Sequence, residues 1–489
     1  KNRPVLSMYL GFLSILKLYL WLFCRRKGEP PLIKGWIPFL GKALEFRKDS
    51  YQFLQWLQQK HGDIFTVLIA GKYMTFVMNP LLYPAVIKQG KQLNFHKFAD
   101  VAASTVFSYP LMCTERFPGM SDQVQKCFLL LQGSALDLLT FRMMGNLQLI
   151  LRRYFLSKQG EELEYDWHKV GLYEFCDCVM FESWTDGLRD NFKKFDRMFP
   201  LLLARVPISL LGKTKCTREK LIRFFHPCRM ADWTSPSEFI QTCTELFQQY
   251  DTLKDLDKAA HHFATLWASV GNTIPASFWC LYHLLSNPQA LASVREEIIG
   301  VIGEEEAEAI CRHDMLLTRE QLDRMIYLES AVKESLRLSS ASMNIRVVQE
   351  DFSLHLNPHF SVCVRKGDIV ALYPPSTHQD PNIYLHPQKY MFDRFVEDQK
   401  EKTEFYKGDQ KVRYYHMPFG SGVSMCPGRF FAINGLKQFV CITLLMCDMQ
   451  LAAGQKEAVL DTCRAGLGIL PPANYISFNY RLKGHFRDE

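Results

Sequence analysis

The stretch PFGSGVSMCPGRFF, Pro418 to Phe431, constrains this chain more than any other. Gly420, Gly422, Pro427 and Gly428 surround a lone cysteine, Cys426, and prescribe a backbone path closed to most residues. The run that follows, RFFAINGLKQFVCITLLMCDMQL, is apolar almost all round and predicts a helix buried in the core. Pro427 suits the first position of that helix, where a missing N–H costs nothing. Cys426 is then expected at the helix amino end, where the dipole and unpaired N–H groups favour a thiolate. The glycines let a flat ligand approach the sulfur, and a thiolate so held is suited to ligate iron. Two alternatives stand beside this one. A single cysteine among glycines is commonly a small buried hydrophobe, and a glycine loop can cradle phosphate, although the Lys-Ser/Thr ending of such a loop is missing here.

With 489 residues, 48% hydrophobic and 13% aromatic, the chain can bury a large core, and disorder is excluded as its main theme. Its formal charge of +7 is spread along the sequence, with no Lys/Arg run interleaved with aromatics, so nucleic acid is not an expected partner. Fifteen cysteines without a CxxC pair or regular spacing suit reduced, buried thiols rather than a disulfide framework.

Pro4 to Cys24 is nearly all apolar and long enough to cross ~30 Å of hydrocarbon as a helix. Arg25 to Lys27 follow at once, predicting a membrane anchor over 4–24 with the rest of the chain on the cytoplasmic side. Residues 25–49 are basic and proline-rich and read as a stiff hinge. One large domain over 50–489 is expected, because no further linker, repeat or low-complexity tract interrupts it. A strand pair over Ile64 to Asn79, turning at Gly71-Lys72, opens that domain. Helical patterns dominate afterwards, with strands between Ile345 and Leu372 and near the carboxyl end. The expected fold is mainly α with small β-sheets.

Phe419 lies seven residues before Cys426, Gly422 four before, and Gly428 two after. That spacing resembles the heme-binding loop of the cytochrome P-450 superfamily. The resemblance implies a cytochrome P-450 fold preceded by one transmembrane helix, with Cys426 as the axial ligand of the heme iron and Phe419, Gly422 and Gly428 beside the heme. Upstream, KESLRL places Glu334 and Arg337 three apart on a helix, and FDRF supplies Arg394. Such a pair alone is commonly a solvated surface pair of small value. In this order before the cysteine loop the three resemble the superfamily's buried ionic network, a structural role. Arg346 is then the candidate partner of a heme propionate, and His378 is a candidate for structural contacts nearby. No Trp occurs between Trp56 and Trp167, so the superfamily's Trp-x-x-x-Arg propionate contact is missing, and Ser424 stands where many members carry an Arg.

AAHHFATLWASVGNTIPASFWCLYHLL, Ala259 to Leu285, reads as the long helix on the oxygen side of the heme. Pro275 has no N–H for the Gly271 carbonyl, so the helix is expected to open there, beside Asn272. The superfamily's acid and hydroxyl are replaced by Gly271 and Asn272, which moves proton delivery onto the Asn272 amide and ordered water. A purely structural kink is the alternative.

LWASVGNTIPASFW, RLSSASMNIR, MPFGSGVSMCPGR and RAGLGILPP together resemble the subgroup containing cholesterol and oxysterol 7α-hydroxylases, sterol 12α-hydroxylase and prostacyclin synthase. KHGDIFTVLIAGKYMTF, VPISLLGKTKCTREK and HHFATLWASVGNTIP lean toward the oxysterol enzymes, whereas RLSSASMNIR and RAGLGILPP lean toward the cholesterol enzymes. The segment FESWTDGLRDNFKKFD, Phe181 to Asp196, is shorter than its counterparts. The resemblance implies a monooxygenase of the endoplasmic reticulum membrane that 7α-hydroxylates oxysterols in cholesterol and bile acid metabolism, with cholesterol 7α-hydroxylation or sterol 12α-hydroxylation as the alternatives. It implies heme as cofactor, NADPH used through a flavoprotein reductase, and lipid and sterol as further partners. Leu266, Ala268, Ser342, Asn344, Leu467 and Ile469 are the expected pocket lining. A peroxide isomerase and a non-catalytic heme or lipid carrier are the alternatives of other classes.

Overall fold

The computed structural model describes residues 27–112, 115–156, 167–181, 187–312 and 315–483. The apolar stretch Pro4–Cys24, with Arg25 and Arg26, lies outside the described residues, as do 182–186 of the shortened segment.

A six-stranded sheet is assembled from Leu32–Ile33 (β1), Ile64–Ile69 (β2), Lys72–Val77 (β3), Leu93–Asn94 (β4), Asn344–Val348 (β5) and Ile369–Leu372 (β6), in the order β1-β2-β3-β6-β5-β4. Register places Ile69 opposite Lys72, so the β2–β3 turn is Ala70-Gly71 and not Gly71-Lys72. Both turn residues have positive φ, 45° and 75°, the backbone hand that matches strand twist in a two-residue hairpin. β5 and β6 pair antiparallel, and Phe352–Asn357 with Phe360–Val364 forms a hairpin beside them, which accounts for the strand-rich patch after Ile345. Near the carboxyl end, Cys447–Leu451 and Ser477–Leu482 pair and take His168–Gly171 as a third strand.

The expected hinge is largely part of the body. The Pro31 carbonyl accepts from Thr66 N–H at 2.8 Å, the Gly28 carbonyl accepts from Cys363 N–H at 2.8 Å, and Glu29 pairs with Arg365 at 2.6 Å. Prolines there remove donors but leave carbonyls, and these suffice to dock an edge strand.

Helices Ala135–Leu156 (α1), Leu188–Leu203 (α2), Asp255–Val270 (α3), Thr273–Ser286 (α4), Ile326–Ser339 (α5) and Arg429–Met446 (α6) build the larger part. Met144 and Leu147 of α1, Phe278 and Leu281 of α4, Leu328 and Val332 of α5, and Phe439 and Ile442 of α6 meet in one core. Every residue of α6 from Asn434 to Met446 is buried. This helix is long and apolar enough to cross a membrane, but 72% of it is buried inside the protein, as befits the central helix of a core. α6 begins at Arg429 with Gly428 as its cap, so Pro427 lies in the turn ahead and not at the first helical position. The cause is upstream: Cys426 N–H still closes the loop onto the Phe419 carbonyl at 2.8 Å, which delays the helix.

Five histidines are removed from water by the fold, His261, His262 and His378 buried and His283 and His416 partly buried. Burial pushes His261 and His283 down to about 3 and His262 to about 4. Burial likewise holds His416 at about 3, and His378 well below its ordinary value with the help of His416 and Arg337. All are neutral when folded, whereas an unfolded chain protonates them below about pH 6.5. The unfolded state therefore binds more protons, and stability falls as pH drops from about 6.5 toward 4, by about 1.4 kcal/mol per pH unit for each histidine. Urea midpoints measured from pH 8 to 5 should be flat above 7 and fall below 6.5, and His416→Gln should lower the slope by about one proton.

Candidate functional site

The three ionic residues singled out in the sequence come together in one network. Glu334 Oε2 pairs with Arg337 Nε at 2.7 Å, and Oε1 takes Arg337 Nη2 at 2.8 Å and Arg394 Nε at 2.8 Å. Glu334 and Arg337 are fully buried. The other guanidinium protons are also used: Arg394 donates to the carbonyls of Leu385, His386 and Lys389, and Arg337 Nη1 to that of His378. Tyr384 lies under both cations, its ring centroid 4.9 Å from Arg337 and 5.7 Å from Arg394. Buried charges are tolerable only when satisfied to this degree.

His378 carries the network to the cysteine loop. Its Nε2 accepts from Met417 N–H at 3.0 Å, and Met417 is where the loop begins. From there the Gly420 N–H turns back to the Met417 carbonyl at 3.3 Å, Met425 N–H to Gly422 at 3.0 Å, and Cys426 N–H to Phe419. Gly420 and Gly422 have φ of 79° and 59°, whereas Gly428 is at −86° and needs no glycine for its backbone conformation. A side chain at Gly420 would lie 2.9 Å from Asn344 Oδ1 and 3.0 Å from the Ser424 carbonyl. Burial pushes the Cys426 thiol above its ordinary value, opposed by the Gly428 N–H and the Arg429 charge. A metal cation at the sulfur would oppose the effect of burial and favour the thiolate.

Arg346 lies on β5 behind the loop, 1% exposed. Its Nη2 donates to the Ser421 carbonyl at 3.1 Å, and its Nε and Nη1 have no hydrogen-bond partner. Asn344 Nδ2 and Ser421 Oγ are also buried without a partner. Asn344 is placed differently from the expected pocket lining: it is 4% exposed, and its Oδ1 accepts from Ser424 at 3.5 Å, against the loop.

The long helix breaks where Pro275 required. α3 ends at Val270 and α4 starts at Thr273. Gly271 N–H still reaches the Trp267 carbonyl at 2.9 Å, and Ala276 N–H resumes the ladder on Asn272 at 3.1 Å. Before the break Leu266 is buried among Phe107, Phe263 and Phe195, and Ala268 and Ser269 are exposed. Ser342 lies opposite Gly466 in a parallel bridge and Ser340 opposite Ile469 in an antiparallel one, so two isolated bridges hold the segment after α5 along one edge of the turn Leu467-Gly468-Ile469. Asn272 touches that edge: its Oδ1 accepts from Ile469 N–H at 3.0 Å.

Sequence reasoning missed two contributors. Gly466, with φ of 89°, was visible in RAGLGILPP as a likeness only, and Gly468, with φ of 107°, was expected at a hairpin tip but not as the point of close approach to Asn272. Asp196 on α2 takes the Trp267 indole N–H at 2.9 Å and both terminal nitrogens of Arg464 at 2.8 and 3.0 Å. No local pattern announces that triad, because its members are far apart in the chain.

The cytochrome P450 family model matches residues 30–108 and 179–478. The chain is 40% identical over 478 residues to cytochrome P450 7B1 of Mus musculus, covering 94% of this chain and 92% of that one. It is 38% identical to cholesterol 7-alpha-monooxygenase of Cricetulus griseus, over 98% of this chain and 99% of the relative. It is also 38% identical to 25-hydroxycholesterol 7-alpha-hydroxylase of Rattus norvegicus, over 82% of this chain and 99% of the relative. The class is therefore that of the heme-thiolate monooxygenases. The chain belongs to the cytochrome P450 family and stands among its sterol 7α-hydroxylase relatives.

The residues present fit a heme. A buried guanidinium with two unpaired N–H groups beside a cysteine loop is a ready partner for a propionate carboxylate. Two measurements follow. Glu334→Ala leaves two buried cations without their carboxylate and should cost about 3–5 kcal/mol with loss of heme-loaded protein, whereas Lys402→Ala, at an exposed pair with Glu397, should change stability by less than about 1 kcal/mol in urea unfolding. Arg346→Met removes an under-satisfied buried charge, so the heme-free protein should unfold at the same or higher urea while heme dissociates at least about tenfold faster.

Proposed function

We propose that this chain is a sterol 7α-hydroxylase acting by preference on an oxysterol, fed with electrons from NADPH by a flavoprotein reductase. The observation that carries the reading is the near full-length likeness to relatives whose names specify 7α-oxidation of cholesterol and of 25-hydroxycholesterol. When bound, the heme supplies oxygen activation and C–H oxidation through its cysteine ligand.

The chain's own residues do the remainder. Cys426 would hold the heme iron through its sulfur; the loop N–H pairs set its orientation, and Phe419, Gly422 and Gly428 flank it. Arg346 would hold a propionate. Asn272, at the opened turn, leaves its amide nitrogen for water beside the Gly271 carbonyl, which Pro275 deprives of its helical N–H partner, and proton delivery is assigned there. Leu266, Ala268, Ser342, Leu467 and Ile469 supply apolar walls with few polar groups, suited to a rigid sterol.

Residues 4–24 are proposed to anchor the chain in the endoplasmic reticulum membrane with the body facing the cytosol. In support, the described part nearest that segment exposes Trp36 fully, Ile37 by 56% and Phe39 by 72%, as a surface meeting lipid does.

The test is an optical titration of the ferric holoenzyme with cholesterol and with 25-hydroxycholesterol. The expected result is a spin-state change at lower concentration for the oxysterol, with 7α-hydroxylated product when reductase and NADPH are added. A stronger response to cholesterol would move the assignment to that substrate. No response to either sterol, with isomerisation of a lipid peroxide in the absence of NADPH, would overturn the hydroxylase reading.

A further inference from the structure

The carboxyl-terminal segment Arg464–Leu470 crosses the break between α3 and α4 and is held at both ends. At one end Arg464 grips Asp196 of α2 through two nitrogens, and the Trp267 indole N–H joins the same carboxylate. At the other, Trp279 Nε1 donates to the Leu470 carbonyl at 2.6 Å and Leu470 N–H to Ser339 at 3.0 Å. Between them, Gly466 N–H and the Gly468 carbonyl pair with Ala341 at 2.7 and 2.8 Å. Leu467 N–H turns back to the Arg464 carbonyl. Of the backbone N–H groups named here, Ile469's goes to a side chain, Asn272 Oδ1 at 3.0 Å.

The close approach depends on Gly468. A Cβ there would lie 2.2 Å from Asn272 Oδ1, and the φ of 107° is itself strained for any other residue. Glycine and carboxamide are thus a matched pair: the first lets the turn descend onto the helix break, and the second supplies the acceptor that ends the descent.

We propose that Asn272 is a positioning residue whose Oδ1 fixes the turn Leu467-Gly468-Ile469 over the opened helix, and that this contact determines which carbon of the substrate is presented for oxidation. Asn272 Oδ1 and Nδ2 then have separate duties. The oxygen sets the height of the pocket roof, and the nitrogen remains for water at the Gly271 carbonyl. The assignment of a sterol as the molecule under that roof rests on the function proposed above; the contact itself does not.

The test uses the full-length holoenzyme with three substitutions. Asn272→Leu removes the acceptor at similar volume, Asn272→Asp keeps an acceptor oxygen in place, and Gly468→Ala forces turn and helix apart. Amide deuterium exchange of the peptide containing residues 465–471 reads the contact without any substrate. Product position, from the reconstituted system with 25-hydroxycholesterol, reads its consequence. Asn272→Leu and Gly468→Ala should exchange at least about tenfold faster there and scatter the oxidation over more than one carbon, while Asn272→Asp stays within about twofold in exchange and keeps the wild-type product. If Asn272→Leu does not retain heme, Gly468→Ala decides. Wild-type exchange in Asn272→Leu or in a deciding Gly468→Ala, or a single unchanged product accompanied only by slower turnover, overturns the proposal. A wild-type enzyme that fails to oxidise the sterol overturns the substrate reading alone, because the exchange arm still decides the contact.

Discussion

The carboxylate of Glu334 is the fixed point of this structure. It takes two cations from opposite directions, one on its own helix and one sixty residues later, in a place without solvent. Such an arrangement is unfavourable unless every remaining proton and lone pair is used. Here each guanidinium also binds backbone carbonyls, so the network sets not only side chains but the path of Leu385 to Lys389 and the seat of His378. Because neutral His378 in turn accepts the first N–H of the cysteine loop, the position of Cys426 is inherited from the ionic network through a single imidazole. The loop has no regular secondary structure of its own beyond one short turn, and that inheritance substitutes for it.

On the opposite side of the candidate heme site the organising element is an absence built into the chain: the N–H that Pro275 does not have. A helix broken beneath a packed roof would leave two unsatisfied regions, the opened turn and the loop above it. Asn272 joins them, and the strain of a close approach is removed by Gly468 having no side chain. α2 is drawn into the same assembly because Asp196 binds both Arg464 and Trp267, and Trp267 stacks on Phe199 at 3.9 Å. The broken helix, the turn above it and α2 share polar contacts through one short segment, so a displacement of any one of them is felt by the other two.

What the sequence disclosed follows the range of the interactions. The cysteine loop was legible because a glycine-lined turn around one cysteine is an uncommon pattern, whereas the Glu334/Arg337 pair, which alone reads as a surface pair, was legible only through its likeness to a family's order of residues before that loop. The break at Gly271 was legible because proline acts on the carbonyl four residues before it. Boundaries were less so: α6 starts at Arg429 because a loop hydrogen bond outlasts the proline signal, and the β2–β3 turn moved by one residue because register, not composition, chose it. The proline-rich stretch before residue 49 reads locally as a spacer, yet its carbonyls are claimed by strands whose own sequences say nothing of it. Asn272 with Ile469, and Asp196 with Arg464, are separated by 197 and 268 positions, and no local pattern encodes such meetings.

The polar groups left over point in one direction. Arg346 Nε and Nη1, Asn344 Nδ2 and Ser421 Oγ are all buried, unpaired, and gathered on one side of the cysteine loop. Each such group costs on the order of 1–3 kcal/mol when it has no partner, and domains of this kind have only about 5–15 kcal/mol of net stability. A fold that carries this burden is one whose polypeptide is incompletely stabilised by its own contacts. A ligand that brings an anion to Arg346 relieves part of it, while its metal gives Cys426 a cation to bind. By mass action, its binding free energy then becomes part of the folding free energy. The residues that hold the heme in such a chain are therefore selected for two tasks that a mutational stability scan reads as one.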